Sequence, residues 1–382
     1  MLIFKNANIM NKNGKFIKKD LIVKNGKIAS GAVTKNADII DMTGKFISPG
    51  LIDAHTHIGI VQDGVGSIGW QENEMTEPIF PHLRALDAIY PEDIAFKDAL
   101  SSGITAGMIT PGSGNLICGS TAVCKFKGKI VDEMILKEPA GMKMALGENP
   151  LRCYGEKDKT PSTRMGNAAL LREAFYQAKN YLNNKKHSKK EKDKVFDYEL
   201  KWESLIPVLQ KKIPIRMHAH RADDIVSAIR IAKEFNLKIV IEHATEGHKI
   251  ANYLAKHKIP CAIGPNISAR EKLELRNRSF TTPAKLYEVG VKFAFMTDHP
   301  VIPIEMLIVS AALACKAGLP KDAAYRALTI NAAEICGVEK RIGSLETGKD
   351  ADFVIWDREP LDFDAKVLFT YINGECVYRK GK

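Results

Sequence analysis

Several short apolar runs in this chain end in side chains that bind cations. Pro49-Gly50-Leu51-Ile52-Asp53-Ala54-His55-Thr56-His57 closes on a His-x-His pair, and Ile213-Pro214-Ile215-Arg216-Met217-His218-Ala219-His220 closes on a second. Lys238-Ile239-Val240-Ile241-Glu242-His243 ends in a single histidine, and Val291-Lys292-Phe293-Ala294-Phe295-Met296-Thr297-Asp298 delivers a carboxylate. Residues two apart on a β-strand face the same side, so both imidazoles of a His-x-His pair can address one ion. Imidazole and carboxylate donors without thiolate suit a divalent metal, with zinc the first expectation and iron, manganese or cobalt compatible. Such an ion brings the pKa of a bound water from 15.7 to about 7, and a neighbouring carboxylate can take its proton and return it to a leaving amine. The chemistry expected is hydrolysis of an amide or cyclic amide. Deamination of a ring C=N, which uses the same attack, is the alternative. One strand-end histidine is explained equally well by a backbone hydrogen bond, whereas four strand ends carrying such groups are not.

The elements that must position these groups read as alternating strands and helices from about Phe46 to Val338. Candidate strands end at His57, Thr110, Phe126, Gly147, His218, His243, Gly264 and Asp298, with amphipathic stretches such as Ala222 to Phe235 between them. That alternation predicts a parallel sheet, and eight units fit a closed (β/α)8 TIM barrel, an α/β fold whose active sites form where the strands end. The first fifty and last forty residues read differently, as short β-prone pieces with Asn25-Gly26 and Asn373-Gly374 as hairpin signals. The termini are therefore expected to meet in a small β-sandwich, formed by residues 1–49 and 343–382, around a barrel of residues 50–342.

These motifs, with Gly343-Ser344-Leu345-Glu346-Thr347-Gly348-Lys349-Asp350-Ala351-Asp352, resemble the amidohydrolase superfamily, in the branch that contains imidazolonepropionase. The resemblance covers nearly the whole chain. It implies a metal-binding barrel with His55 and His57 as first-strand ligands, His218 from the fifth strand, His243 from the sixth, and Asp298 as the eighth-strand carboxylate that binds the metal or its water and shuttles a proton. His218 is favoured over His220 as the fifth-strand ligand, which makes His220 a substrate contact; the reverse assignment stays open. Two-metal members often bridge their ions with a carboxylated lysine from the fourth strand. Here Lys143 reads as lying near the start of that strand and Glu148 at its rim, so Glu148 is expected to bind or bridge metal; otherwise a single ion is the better expectation. Arg152 and Arg164, on the loop that follows, are candidates for holding a substrate carboxylate.

Composition fits this reading. The chain has 382 residues, 45% hydrophobic and 26% charged, which is ordinary for a globular protein. No apolar run approaches the ~18 residues of a membrane span, and the N-terminus lacks a signal-peptide core, so a cytoplasmic protein without a membrane partner is expected. The seven cysteines contain no CxxC pair and read as free thiols. Much of the formal charge of +11 lies in the run Asn184 to Lys194, which has no interleaved aromatic residue. It is read as a solvated segment rather than a nucleic-acid site, which would show itself by salt-dependent affinity. The partner expected is a small-molecule substrate, and the sequence is compatible with a homo-oligomer. A decayed, non-catalytic scaffold is the remaining class, against which stands the presence of all five expected ligands.

Overall fold

The computed structural model describes residues 1–31, 37–188 and 196–381. The cationic residues from Lys189 to Lys194 fall outside them. The two ends of the chain join in one hydrogen-bonded β layer. Its spatial order runs Glu375–Arg379, Val367–Ile372, Phe353–Trp356, Phe46–Pro49, Leu2–Met10, Phe16–Lys24 and Lys27–Ala29, with Asp38–Asp41 also pairing Leu2–Met10. The seam between the termini is the antiparallel pair Phe46–Pro49 and Phe353–Trp356, with Ile47 opposite Ile355. Both Asn-Gly turns take positive φ at each residue, 51° and 72° at Asn25-Gly26 and 52° and 74° at Asn373-Gly374. Those signs match the strand twist in a two-residue hairpin, which is why Asn-Gly is favoured there. Phe4, Phe353 and Tyr371 form the aromatic centre of this layer, the last two stacked at 4.5 Å.

The second sheet has eight strands in sequence order: Leu51–Thr56, Ile104–Ile109, Ile117–Lys125, Ile135–Ala145, Ile215–Ala219, Ile239–His243, Cys261–Ile263 and Phe293–Phe295, here the first to eighth barrel strands. Most of them are buried along their whole length, as expected of a sheet covered on both faces. First and eighth strands meet at their ends, where His57 N–H donates to His299 O at 2.9 Å and Asp298 N–H donates to His55 O at 3.1 Å. Helices cover the outside. Ala222–Glu234, for example, buries Ile225, Ala228, Ile229 and Ala232, the i, i+3, i+4, i+7 stripe of an amphipathic helix.

One strand departs from the all-parallel expectation. Ile117–Lys125 runs antiparallel to both of its neighbours. Residues 110–116 are too short for the crossover that a parallel return requires, about a dozen residues, so the chain doubles back. Phe126 therefore ends its strand at the opposite side from the other strand ends, and the fourth strand returns to finish beside His218.

Among the described residues, no helix is long and apolar enough to cross a membrane.

Candidate metal centre

The ends of four barrel strands converge. His55 sits inside the first strand with its ring fully buried; its Nε2 lies 2.9 Å from Asp298 Oδ1, and His57 Nε2 lies 3.2 Å from the same oxygen. His218 closes on His243, ring centroids 4.3 Å apart, and His220 stacks on His243 at 4.4 Å. Among the described residues, two three-residue groups bring potential donor atoms within 4.8 Å of one another: His55, His243 and Asp298, and His218, His220 and His243.

Backbone geometry explains how so many groups reach one point. Glu242 and His243 are consecutive, and an extended strand would send them to opposite faces. His243 instead has φ 68°, and Asp298, the last residue before the barrel closes, has φ 56°. Left-handed conformations at non-glycine residues are uncommon and collect at functional sites. Here they turn both side chains inward. Gly264 supports His243 from the next strand: its φ is +146°, and a Cβ there would stand 2.2 Å from the Met296 carbonyl oxygen, so only glycine fits.

Hydrogen bonds select which ring nitrogens stay free. His57 Nδ1 donates to Thr110 O at 2.7 Å, and His243 Nδ1 donates to Gly264 O at 2.8 Å. A carbonyl only accepts, so each of these imidazoles carries its proton on Nδ1 and presents the Nε2 lone pair. His220 Nδ1 pairs with Thr245 Oγ1 at 2.7 Å. Among the described residues, neither nitrogen of buried His218 has a hydrogen-bond partner. Burial, and then the neighbouring cationic or imidazole groups, hold His55, His218, His220 and His243 well below the usual histidine pKa. They are neutral at physiological pH. For Asp298, burial opposes ionisation, but the surrounding imidazoles of His243, His55 and His57 outweigh it and hold the carboxyl well below its usual range. Neutral imidazoles with outward-anchored protons beside an ionised carboxylate are the arrangement of metal ligands. The donor set and the unpartnered His218 nitrogens fit a divalent cation.

Glu148 does not join this group. It begins the helix Glu148–Gly155, and its N–H donates to Glu274 Oε2 at 3.1 Å. The fourth strand continues to Ala145, so Lys143 lies near its mouth rather than its start. The Lys143 ammonium is fully buried, with Nζ 3.5 Å from both ring nitrogens of His55 and from Glu242 Oε2. Burial brings its pKa down to about 8. The pleat accounts for the difference: Lys143 faces inward on a strand long enough to carry it to the rim, and the chain turns into a helix before Glu148 can point there.

Arg152 lines the cavity over the histidines, with its side chain 65% exposed and 3.7 Å from Glu156. Arg164 does not line it; its Nε binds Asp224 at 3.0 Å. The cavity has a volume of about 600 Å³ and is bounded by Trp70, Glu72, Asn73, Ser113, Asn149 and Lys272 as well as by His57, His218, His220 and Asp298.

The structure also shows charged groups that the motif reading passed over. Glu242 touches His55 Nδ1 and Lys143, and pairs with the fully buried Arg216. Arg216 also donates to Ala54 O at 2.7 Å and to Ile335 O at 3.1 Å. Asp53 accepts from the His55 and Thr297 amides and from the Thr297 hydroxyl, locking first strand to eighth. Burial lifts its pKa to about 7. The signal was present in Met142-Lys143-Met144, Arg216-Met217-His218 and Ile241-Glu242-His243: a charge inside an apolar strand is rarely buried without a partner.

Residues 204–377 match the profile of the Amidohydrolase family. Amidohydrolase tasK of Hapsidospora irregularis is 27% identical over 354 residues, covering 86% of this chain and 36% of that protein. An imidazolonepropionase of Treponema denticola is 30% identical over 191 residues, 49% of this chain and 40% of that one. The chain thus spans well under half the length of these curated relatives. The crystal structure of an amidohydrolase from Thermotoga maritima MSB8 superposes with a TM-score of 0.97 at 48% identity, covering 100% of both chains.

Proposed function

The chain belongs to the amidohydrolase superfamily, and on that premise we propose that it is a metal-dependent hydrolase cleaving an amide or cyclic-amide C–N bond in a small molecule. The observation that carries this reading is the set of anchored imidazoles, with His57 and His243 tied through Nδ1 to carbonyl oxygens so that their Nε2 atoms face the same space as Asp298. His55, His57 and Asp298 would hold one cation, and His218 and His243 a second. Lys143, rather than Glu148, would serve as the carboxylated bridging lysine of two-metal amidohydrolases, a reading supported by its position near the end of the fourth strand with Nζ beside His55. When bound, a divalent cation supplies an acidified water and polarises the acyl oxygen.

The chain's own groups do the rest. Asp298 accepts the proton of the attacking water and passes it to the leaving nitrogen, which departs as a neutral amine. Asp53 and Thr297 fix the strand ends that present His55 and Asp298, and Thr110 O and Gly264 O fix the ring orientations. Arg152 and Asn149, at the mouth, are placed to bind polar ends of the substrate.

The test is metal removal. Purified protein is assayed on a panel of N-acyl amino acids, cyclic amides and aminated heterocycles, then dialysed against a chelator and reloaded with zinc, manganese or cobalt. Turnover of amides that vanishes on chelation and returns with metal is expected. Undiminished turnover in the chelated protein refutes the proposal, and turnover of the ring amines alone replaces it with deamination.

A further inference from the structure

We propose that Glu274, from the loop after the seventh barrel strand, is a direct metal ligand that completes a four-donor site with His218, His220 and His243. The assignment rests on reading the barrel mouth as a metal centre and extends it, since it takes both histidines of the fifth-strand pair into one site and adds a carboxylate that the strand-end motifs do not contain.

Glu274 is 1% exposed although it sits on a surface loop. The short turn Leu273–Leu275 points its side chain down into the mouth. There Oε1 lies 3.8 Å from His218 Nε2 and 3.7 Å from His220 Nε2. In a tetrahedral zinc site with bonds of about 2.0–2.2 Å, ligand atoms stand about 3.4 Å apart, so a movement of a few tenths of an ångström brings Glu274 into ligand range beside His218 and His220, which already group with His243 as potential donors. The groups are otherwise mismatched. His243 presents a lone pair, His218 has no hydrogen-bond partner on either nitrogen among the described residues, and a carboxylate faces them. Buried imidazole nitrogens without donors leave their desolvation uncompensated; a cation between them and the carboxylate compensates it.

The surroundings are shaped for this carboxylate. Gly147 has φ +87°, and a Cβ on it would stand 2.7 Å from Glu274 Oε2. The same oxygen accepts the Glu148 N–H at 3.1 Å. Lys272 Nζ lies 2.7 Å from Oε1 and is held in turn by Asn149 Oδ1 at 3.0 Å. Ligating carboxylates are themselves commonly hydrogen-bonded in this way, which orients them without displacing the ion. Glu274 reaches the mouth from the seventh-strand loop, and His243 is shared between the His218, His220 group it faces and the His55, Asp298 group. Three nitrogens and one oxygen suit zinc or cobalt.

The experiment compares metal binding by the full-length protein with that of Glu274→Gln, His220→Gln and Lys272→Met. Each is stripped and titrated with cobalt(II), following metal content per chain and the visible d–d absorption, and folding is checked by circular dichroism. Losing an outer hydrogen-bond partner weakens metal affinity about 10–100-fold, so Lys272→Met should weaken one cation by about 10-fold. Glu274→Gln and His220→Gln should each weaken that same cation by more than ~100-fold and alter the cobalt spectrum. If Glu274 is only the counter-ion of Lys272, the Glu274→Gln protein keeps the wild-type metal content, affinity and spectrum, and the proposal is overturned while the metal reading stands. A wild-type chain that takes up no cobalt overturns both. Should Glu274→Gln fail to fold, His220→Gln decides: an unchanged cobalt titration refutes the four-donor site.

Discussion

Replacing Lys125 by methionine tests how the terminal β layer is fastened beneath the barrel. Lys125 ends the reversed third strand, and its ammonium is buried against Asp350 at 2.8 Å, Asp352 at 2.8 Å and Asn373 Oδ1 at 2.6 Å. Asp350 keeps other partners, Lys27 and Arg341, the latter at 2.7 Å. Asp352, 4% exposed, would keep among the described residues only the Asn373 N–H at 2.8 Å. Leaving one buried carboxylate without its cation costs about 3–5 kcal/mol. At roughly 2 °C per kcal/mol for a chain of this size, the melting temperature of Lys125→Met should fall by about 6–10 °C. The loss should depend on pH. Burial already raises the pKa of Asp352, and the charge of Lys125 opposes that rise, so removing Lys125 raises it further above the unfolded value of about 3.9. A carboxyl whose folded pKa is raised binds its proton more tightly when folded, so protonation relieves the variant. The deficit should therefore be complete at pH 8 and shrink as pH falls through the raised folded pKa. The assay is guanidinium unfolding of both proteins at pH 8 and pH 5, followed by tryptophan emission. Trp356, whose Nε1 donates to Ser48 Oγ at 2.9 Å across the seam, is a local reporter. A deficit under 1 kcal/mol at pH 8, or one that grows at pH 5, would refute the reasoning.

Two further predictions concern the site. Asp298→Asn should keep the far-ultraviolet circular dichroism of the parent and lose about 10²–10⁴-fold in kcat on the best amide, the usual worth of a positioned general base; turnover within threefold of the parent removes the proton-transfer role. The two arginines should separate. Arg152→Ala should raise KM by about 10-fold or more for substrates with a carboxylate, the value of a charged hydrogen bond, and leave neutral substrates unaffected. Arg164→Ala should leave KM unchanged and lower thermal stability instead, because Asp224, 3% exposed, loses its partner. A KM effect at Arg164 would return it to the substrate.

The strand-end histidines were legible because three strong regularities coincide in them: an apolar run, a polar stop, and pairing at i and i+2. Position along a strand was harder. Lys143 looked too early because strand length cannot be read from Gly141-Met142-Lys143-Met144-Ala145 alone, and the structure shows the strand beginning at Ile135 and ending at Ala145. Glu148 looked right because it is the next carboxylate, yet Gly147, at φ +87°, turns the chain into a helix first. Glu242 was hidden by His243, since strict alternation would send one of the two outward, and only the left-handed φ of His243 lets both face in. Glu274 carries no local signature; nothing in Lys272-Leu273-Glu274-Leu275 distinguishes it from a surface loop. The third strand is expected from the sequence, ending at Phe126, but its reversal is not legible there because its composition is that of any buried strand. Only the shortness of residues 110–116 spoke against a helical crossover.

That short connection does more than reverse the chain. In an all-parallel barrel a helix would carry the chain from the mouth to the base between second and third strands. Here second strand ends and third strand begins at the mouth, so residues 110–116 stay there. Thr110 O holds the His57 ring. Ser113 Oγ accepts from Asn149 Nδ2 at 2.8 Å, and Gly114 N–H donates to Asn73 Oδ1 at 2.8 Å. Gly112 lets the backbone lie against Asn73, where a Cβ would stand 2.4 Å from Nδ2. The reversal thus replaces a crossover with a compact rim loop that bonds to the first strand's histidine, to the segment bearing Trp70 and Asn73, and to the helix bearing Arg152. Since no ligand is asked of the third strand, its direction is free to vary, and the barrel uses that freedom to build one wall of the cavity.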